Sequence, residues 1–126
     1  MSHKYFYKIL DKEPSEPLPE TLPTSDLDAK DGFIHLSTAE QTPVTAKLFF
    51  SSHSVLWILR LDPEALDGRI ELTSAPGTGI ENGCPHVHDS MKGLGRSNVV
   101  EVLKVNRSSF EDWTQVDGMK ALGRAD

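Results

Sequence analysis

The chain has 126 residues and a formal net charge of −6 at pH 7, so it is long enough for one domain with its own core but lacks the overall basic charge of an extended nucleic-acid surface. Its single cysteine, Cys84, excludes an intrachain disulfide, and no apolar run approaches the roughly 20 residues that a membrane helix needs. The first residues lack the apolar segment of a signal peptide. These features predict a cytoplasmic protein.

The first quarter of the chain combines a strand with a long irregular segment. Residues 4–10 contain two tyrosines, a phenylalanine and an isoleucine, which predict a strand. Residues 11–30 carry four prolines among acidic residues, so they predict a surface loop with one short turn near residues 22–27. Loops of this length are usually functional lids or disordered excursions, and the composition does not choose between them.

Residues 31–41 organise the rest of the chain. A turn at Asp31 is followed by a predicted strand over residues 33–36 and a helix that continues to about residue 50. The helix starts either at a capping box or with a proline in its first turn, and a strand that ends at a helix N-terminus can hold an anion. The capping box is formed by Thr38 and Gln41, the proline is Pro43, and the apolar residues expected to face the core are Val44, Leu48 and Phe49.

The middle of the chain contains the most hydrophobic strand. Residues 55–61 are almost continuously apolar, which predicts a central strand that is buried on both faces. Residues 62–66 have the N-cap and early proline of a short helical turn, which ends at Gly68. Residues 69–72 predict a short strand. Residues 73–83 are rich in glycine and predict a flexible loop whose opening admits a ligand.

The last third of the chain predicts two further extended segments, over residues 84–88 and 99–105, and then an amphipathic helix over about residues 109–122. About six strands, clustered rather than alternating with two or three helices, favour an α+β fold in a single domain over residues 1–126. The apolar side of the C-terminal helix would consist of Phe110, Trp113, Val116 and Met119 or Ala121.

One row of side chains has the chemistry of a metal site. Cys84, His86 and His88 alternate along an extended segment and so share a face, and their sulfur and nitrogen atoms are possible zinc ligands, with His35 as a distant fourth. The spacing is not that of a strong zinc signature, and hydrogen-bonded polar groups that line a cleft explain the same residues better. No nucleophile motif or phosphate-binding glycine loop is present in the sequence.

With these residues in view, the chain resembles the family labelled domain of unknown function 952, DUF952, over about residues 5–105. The resemblance implies a fold similar to the ADP-ribosyltransferases, in which a split antiparallel sheet of about six strands clamps NAD. The matching motifs, in chain order, are Tyr7-Lys8-Ile9-Leu10; Asp31 to Thr38 with Gln41, Thr45-Ala46 and Phe49-Phe50; Leu61 to Leu66; and Pro85-His86.

The same resemblance suggests where a ligand would bind. The poly(ADP-ribose) polymerase branch of that superfamily uses a histidine on the first strand, a tyrosine at a strand joint and a glutamate near a late strand. The resemblance aligns Lys8, His35 and residues 85–88 with these three positions. None of the three enzyme residues is therefore retained in kind.

The leading hypothesis is that the protein binds NAD or an ADP-ribose-type nucleotide and catalyses ADP-ribosyl transfer or NAD glycohydrolysis. His35 would stack on or hydrogen-bond the ligand, and His86 would act as acid or base. Two alternatives stay open: a non-catalytic nucleotide-binding module, and a zinc-dependent hydrolase built on the cysteine and histidines of residues 84–88. The predicted ligand-binding residues are Tyr7, Lys8, Ser37, Thr38, Gln41 and His88.

Overall fold

In the computed structural model, which describes residues 4–75, 80–109 and 111–125, the chain is an α+β protein with two small antiparallel sheets of three strands each. This confirms the expected fold class. The strands are β1 (Phe6–Leu10), β2 (Ile34–His35), β3 (Val55–Leu61), β4 (Arg69–Ala75), β5 (Ile80–His88) and β6 (Val99–Asn106). The helices are α1 (Asp26–Asp31), α2 (Gln41–Phe49), α3 (Asp117–Lys120) and α4 (Leu122–Ala125), with single 3-10 turns at Pro63–Ala65 and Trp113–Gln115.

The first sheet has the strand order β1-β3-β6, with β3 at its centre. Side chains of β3 alternate between two hydrophobic clusters, Leu56 and Ile58 on one face and Leu59 and Leu61 on the other, and all four are inaccessible to solvent. The prediction that β3 is buried on both faces is therefore confirmed. A strand covered on both sides needs apolar residues at consecutive positions, which is why its sequence shows no alternation.

Each face of the first sheet is covered by a different part of the chain. On one face the core is completed by C-terminal residues, chiefly Trp113, Met119 and Leu122. On the other face the core contains Val87 from β5 and Leu94 from the following loop. The second sheet therefore packs against the face of the first that the C-terminal segment leaves open.

The two sheets meet at a single bridge between β1 and the end of β2. The amide of Tyr7 donates to the carbonyl of Ser37 at 2.8 Å, and the amide of Ser37 donates back at 2.9 Å. The second sheet has the order β2-β5-β4, so its strand β2 is an edge strand beside β1. Beyond the bridge the ladder between β1 and β2 does not continue, and the sheet is split there.

The proline-rich segment differs from its prediction because it contains α1. Ser25 caps this helix by accepting a hydrogen bond from the amide of Asp28 at 3.2 Å, and Gly32 ends it in the left-handed conformation at φ +77°. The loop prediction for residues 11–30 is therefore wrong over the last five of them. The remaining loop is fixed by backbone hydrogen bonds from Leu22 to Leu94 and from Arg96 to Pro19.

Helix α2 starts at the capping box, but its buried side is not the predicted one. The backbone amide of Thr38 donates to the Gln41 side chain at 3.0 Å, and the Gln41 amide donates to the Thr38 hydroxyl at 3.3 Å. Leu48 and Phe49 are exposed, whereas Ala46 is fully buried. The helix packs through its smaller residues, which permit a close approach to the core. The spacing of large apolar residues in the sequence therefore does not predict which side of the helix is buried.

The glycine-rich segment is mostly a hairpin and not a loop. Strand β4 continues to Ala75, which pairs with Ile80 at the start of β5. The predicted flexible loop over residues 73–83 is thus wrong at both ends, because backbone pairing with β5 extends a strand that lacks a strong apolar signal. Its centre, residues 76–79, lies outside the described residues.

The C-terminal segment is broken into short pieces instead of forming one helix over residues 109–122. Asp112 accepts a hydrogen bond from the amide of Thr114 at 2.8 Å and starts a 3-10 turn, and Val116 is extended at φ −73° and ψ 129°. This local capping interrupts the predicted helix. Trp113, Val116 and Met119 are nevertheless buried as expected, while Phe110 lies outside the described residues.

None of the helices in the described ranges has the length and apolar composition to cross a membrane.

Gly95 gives a direct test of how the long loop docks. A Cβ atom at this position would overlap the backbone carbonyl of Glu20, whereas a Cβ on Gly123 would meet nothing within 4 Å. We expect Gly95→Ala to lower the free energy of unfolding by about 2 kcal/mol, since backbone must move to relieve the overlap. Urea denaturation measures this change.

The matched control is Gly123→Ala, which should be neutral or stabilise α4 by at most about 1 kcal/mol. Equal stability of the two variants would contradict the close packing of residues 19–20 against Gly95.

Candidate functional site

Four rings gather on one face of the second sheet. His35 on β2 pairs directly with His86 on β5. Phe33 lies two residues before His35, and His88 lies two residues after His86, so all four side chains are on the same side of the antiparallel pair. The opposite side of these strands carries Ile34 and Val87, which belong to the core. We call the surface formed by Phe33, His35, His86 and His88 the histidine face.

Phe33 lies at the centre of the histidine face. Its ring centroid is 4.6 Å from that of His86 at an interplanar angle of 30°, and 4.7 Å from those of both His35 and His88. The rings of His35 and His86 are 5.0 Å apart in an edge-on arrangement. The side chains of His35 and His88 are each 24% exposed, so the face is partly open to solvent.

His35 is held by carboxylates on both of its ring nitrogens. Its Nδ1 lies 2.6 Å from Asp28 Oδ1, and its Nε2 lies 2.9 Å from Asp31 Oδ2. Each ring nitrogen of His35 thus has a carboxylate oxygen within hydrogen-bonding distance. His35 therefore presents the face of its ring, and not a free nitrogen, to the surrounding space.

Asp28 also forms a buried ion pair with Lys8. Lys8 Nζ donates to Asp28 Oδ2 at 2.6 Å and to the carbonyl of His35 at 3.0 Å, and both charged residues are less than a tenth exposed. Asp28 Oδ1 additionally accepts a hydrogen bond from the backbone amide of His35 at 3.1 Å. The two side chains thus satisfy the backbone of β2 at the point where it separates from β1.

The ion pair changes the ionisation of both partners. Burial opposes ionisation of Asp28, but the charge of Lys8 and the hydrogen bonds from Lys8 and His35 together hold the pKa of the Asp28 carboxyl below its ordinary 3.8. Burial lowers the pKa of the Lys8 ammonium, and the attraction of Asp28 offsets this only in part. The Lys8 ammonium thus forms its hydrogen bonds with Asp28 and the His35 carbonyl inside the protein.

The other two histidines differ in their partners. His88 Nε2 lies 3.0 Å from Glu71 Oε2 on β4, whereas the ring nitrogens of His86 have no hydrogen-bond partner within the described ranges. Burial and then the neighbouring charges of His35 and His88 hold the pKa of the His86 imidazole below its ordinary 6.5. His86 is therefore neutral at neutral pH, with one nitrogen able to accept a proton.

The row of Cys84, His86 and His88 does not resemble a metal centre. No group of three or more histidine, cysteine, aspartate or glutamate side chains is arranged to hold a metal ion in the described part of the chain. Burial raises the pKa of the Cys84 thiol, which disfavours the thiolate that zinc binds. The zinc alternative gains no support from this geometry.

Four of the predicted ligand-binding residues lie inside the protein at the strand joint and not on the histidine face. Tyr7 is fully buried, and its hydroxyl lies 3.5 Å from the carbonyl of Leu122. The Gln41 amide donates to the carbonyl of Gly83 at 2.7 Å, and the hydroxyls of Ser37 and Thr45 are 3.4 Å apart. Together with Thr38 these residues form hydrogen bonds around the bridge between β1 and the end of β2. His35, His86 and His88 instead converge on one surface.

Sequence reasoning missed four residues that shape the site: Asp28, Asp31, Phe33 and Glu71. Asp28 was hidden in a segment that was interpreted as a loop. Spacing in the sequence could have revealed Asp31 and Phe33, because Asp31 precedes His35 by four residues and Phe33 precedes it by two. The position of Glu71 opposite His86 depends on strand register, which a single sequence does not provide.

A small cavity of about 60 Å³ lies behind the ion pair. Lys8 and Asp28 form its polar wall, and the docked loop over residues 21–25 and Leu94 form much of the remainder. The histidine rings do not line it.

Comparison with known proteins identifies relatives without an assigned activity. The model of a family described as protein of unknown function, DUF952, matches residues 12–102. The crystal structure of protein CC0527 from Caulobacter crescentus is similar at 26% identity and a TM-score of 0.62, over 83% of this chain and 89% of that one; a double mutant of the same protein gives the same values. No curated protein matches significantly.

Substitution of Asp28 tests the buried ion pair. We expect Asp28→Asn to lower the free energy of unfolding by about 3 kcal/mol, because it leaves the Lys8 ammonium buried without a counter-charge. Adding Lys8→Met should restore part of the loss, since the unpaired charge is then removed. Urea denaturation of both single variants and the double variant measures the coupling. Additive losses would show that the two side chains do not interact.

Acid titration of stability tests the same carboxylate. Because the folded-state pKa of Asp28 is depressed, its contribution should be complete above the ordinary value of 3.8 and disappear as the pH falls through the folded-state pKa. Urea midpoints between about pH 2 and 6 should therefore fall more steeply in the native protein than in the Lys8→Met/Asp28→Asn variant. Parallel profiles would contradict a depressed pKa at Asp28.

Proposed function

The chain belongs to the DUF952 family, and for this member we propose that the histidine face binds the nicotinamide end of NAD, or a similar nucleotide with a cationic ring. The observation that carries the proposal is the convergence of three histidines on Phe33, with carboxylates at the margin of the rings. This arrangement offers both a stacking surface and negative charge to one ligand.

The stacking surface suits a flat heteroaromatic ring. The rings of Phe33 and His86 are inclined by only 30° to one another, and the side chain of His35 leaves its ring face available because both nitrogens are occupied. Aromatic rings with centroids 4.5–7 Å apart interact favourably in such offset arrangements. A nicotinamide ring stacked here would extend an existing cluster of aromatic side chains.

The charge around the face suits a cation more than a phosphate. Asp31 and Glu71 are both accessible at its margin, with side-chain exposures of 35% and 50%. The oxidised nicotinamide ring is positively charged, and these two carboxylates, each of which also contacts a histidine of the face, would attract it. Lys8, expected to bind ribose or phosphate, instead pairs with Asp28, so the nucleotide's phosphates would extend away from this face.

The architecture supports the same ligand class by analogy. The sequence resembles the ADP-ribosyltransferases, whose NAD lies in a split antiparallel sheet, and the two sheets here separate immediately beside His35.

His86 supplies the reactive group in the catalytic form of the proposal. As a neutral imidazole without a protein partner, it accepts a proton from water while the water oxygen forms a bond to the ribose C1′. The bond between C1′ and the nicotinamide nitrogen breaks, and its electron pair neutralises the ring. The products are ADP-ribose, nicotinamide and a proton.

A non-catalytic binding module is the second candidate. It is favoured by the burial of Ser37, Thr38 and Gln41, whose polar groups contact protein and leave little beyond His86 for chemistry. In this form the face would bind the nucleotide and stabilise the fold in proportion to ligand concentration, without turnover.

Removing His86 distinguishes these possibilities. With native protein we expect NAD to raise the melting temperature more than NADH does, because the reduced ring is uncharged. If the protein is an enzyme, nicotinamide release measured by chromatography should fall about 10²- to 10⁴-fold in His86→Ala. A binding module should show the NAD-dependent thermal shift without nicotinamide release.

The control is His53→Ala, which changes a histidine on a loop beside Phe50 and Asp11, away from the histidine face. It should retain the native response. If neither NAD nor ADP-ribose shifts the melting temperature of the native protein, both forms of the proposal are wrong.

A further inference from the structure

Strand β4 is an edge strand with an unused side. It pairs with β5 on one side, and in the part of the chain that the structure describes no strand pairs with its other side. An exposed edge presents unpaired backbone donors and acceptors to any other extended chain. Proteins that stay monomeric usually shorten, twist, cover or charge such an edge.

The side chains of β4 divide into two groups. Ile70 and Leu72 lie on the same face as the core residue Val87 but remain 37% and 64% exposed. Arg69 and Glu71 lie on the face that carries the histidines, and their side chains are 61% and 50% exposed. The edge thus combines uncovered apolar groups with one cation and one anion two residues apart.

We propose that β4 pairs antiparallel with β4 of a second copy of this chain around a two-fold axis at Ile70. In that register each Arg69 lies opposite Glu71 of the other copy, because directly opposed residues have numbers that add to twice the central one. The interface therefore gains two cross-strand pairs of opposite charge.

The two adjacent registers of the same pairing are less favourable. An axis at Arg69 sets two guanidinium groups opposite each other, and an axis at Glu71 does the same with two carboxylates. Like charges directly opposite in a sheet are destabilising. Among these three registers, only the one centred on Ile70 pairs opposite charges, and this complementarity favours a second copy over an unrelated edge.

The apolar face fits the same register. Ile70 lies opposite Ile70 of the second copy, and Leu72 lies next to it on the same face of the strand. Both exposed apolar groups would be removed from water by one contact. A single pair of short strands is a small interface, so we expect reversible dimerisation that depends on concentration.

Pairing also brings a cation toward the histidine face. Glu71 contacts His88, and in the dimer Arg69 of the second copy would be opposite Glu71. Within its own chain Arg69 lies 3.7 Å from Glu71 and 3.3 Å from Asp89, and pairing adds the Arg69 of the second copy. The dimer proposal does not depend on the proposed function, because its observations are the edge, the exposed apolar groups and the charge order of β4.

Sedimentation equilibrium over a wide concentration range provides the test. The native protein should shift from a mass of 13.9 kDa toward twice that value as its concentration rises. Arg69→Glu, with acids at both charged positions of β4, and Glu71→Arg, with bases at both, should each remain monomeric. Arg96→Glu is the matched control, since it changes the charge at an exposed site outside β4 and should dimerise normally.

Mixing the two monomeric variants completes the test. The acidic and basic strands would be complementary in both cross-strand pairs, so an equimolar mixture of Arg69→Glu and Glu71→Arg should form a heterodimer. A native protein that is monomeric throughout, or a dimer that both charge reversals leave unchanged, would overturn the proposal.

Hydrogen exchange offers a second readout that needs no variant. Amides on the outer side of β4 should become protected in native protein as its concentration rises. Protection that is independent of concentration would also contradict pairing at this edge.

Discussion

The carboxylate of Asp28 satisfies the backbone where the sheet divides. Strands β1 and β2 share only the bridge between Tyr7 and Ser37, so beyond it the amide and carbonyl of His35 have no strand partner. Asp28 accepts the amide, and Lys8 donates to the carbonyl. Unpaired backbone groups in a buried position are costly, and a charged side chain there needs a counter-charge. The ion pair meets both requirements and makes the separation of the two sheets compatible with a closed core.

The same carboxylate orders the chemistry of the histidine face. By holding Nδ1 of His35 it fixes the ring, and Asp31 fixes the other nitrogen. Glu71 occupies one nitrogen of His88, whereas neither nitrogen of His86 has a hydrogen-bond partner in the described part of the chain. Three residues of the same type therefore have different roles because of their neighbours. The structural residues also shape the candidate site: Lys8 stabilises Asp28, Asp28 orients His35, and burial together with the charge of His35 lowers the pKa of His86.

The parts of this fold that sequence predicts well are those with strong local signals. The apolar run of residues 55–61 and the capping box of Thr38 and Gln41 each determine their structure within a few residues. The extension of β4 to Ala75 depends instead on pairing with β5, and the site depends on the register that places Glu71 opposite His86. Residue type and spacing in the sequence were enough to identify His35, His86 and His88 as candidate site residues. It could not reveal Asp28, whose role arises from a contact with Lys8 across 20 residues.

The folded core of this chain includes residues on both sides of the segment that the family model matches. The family match ends at residue 102, yet Trp113, Met119 and Leu122 fill one face of the first sheet. At the other end, β1 precedes the matched residues and pairs with the central strand. The shared segment alone would therefore leave an apolar face and a strand edge uncovered. Truncation to residues 12–102 would consequently remove one edge of the first sheet together with part of its core.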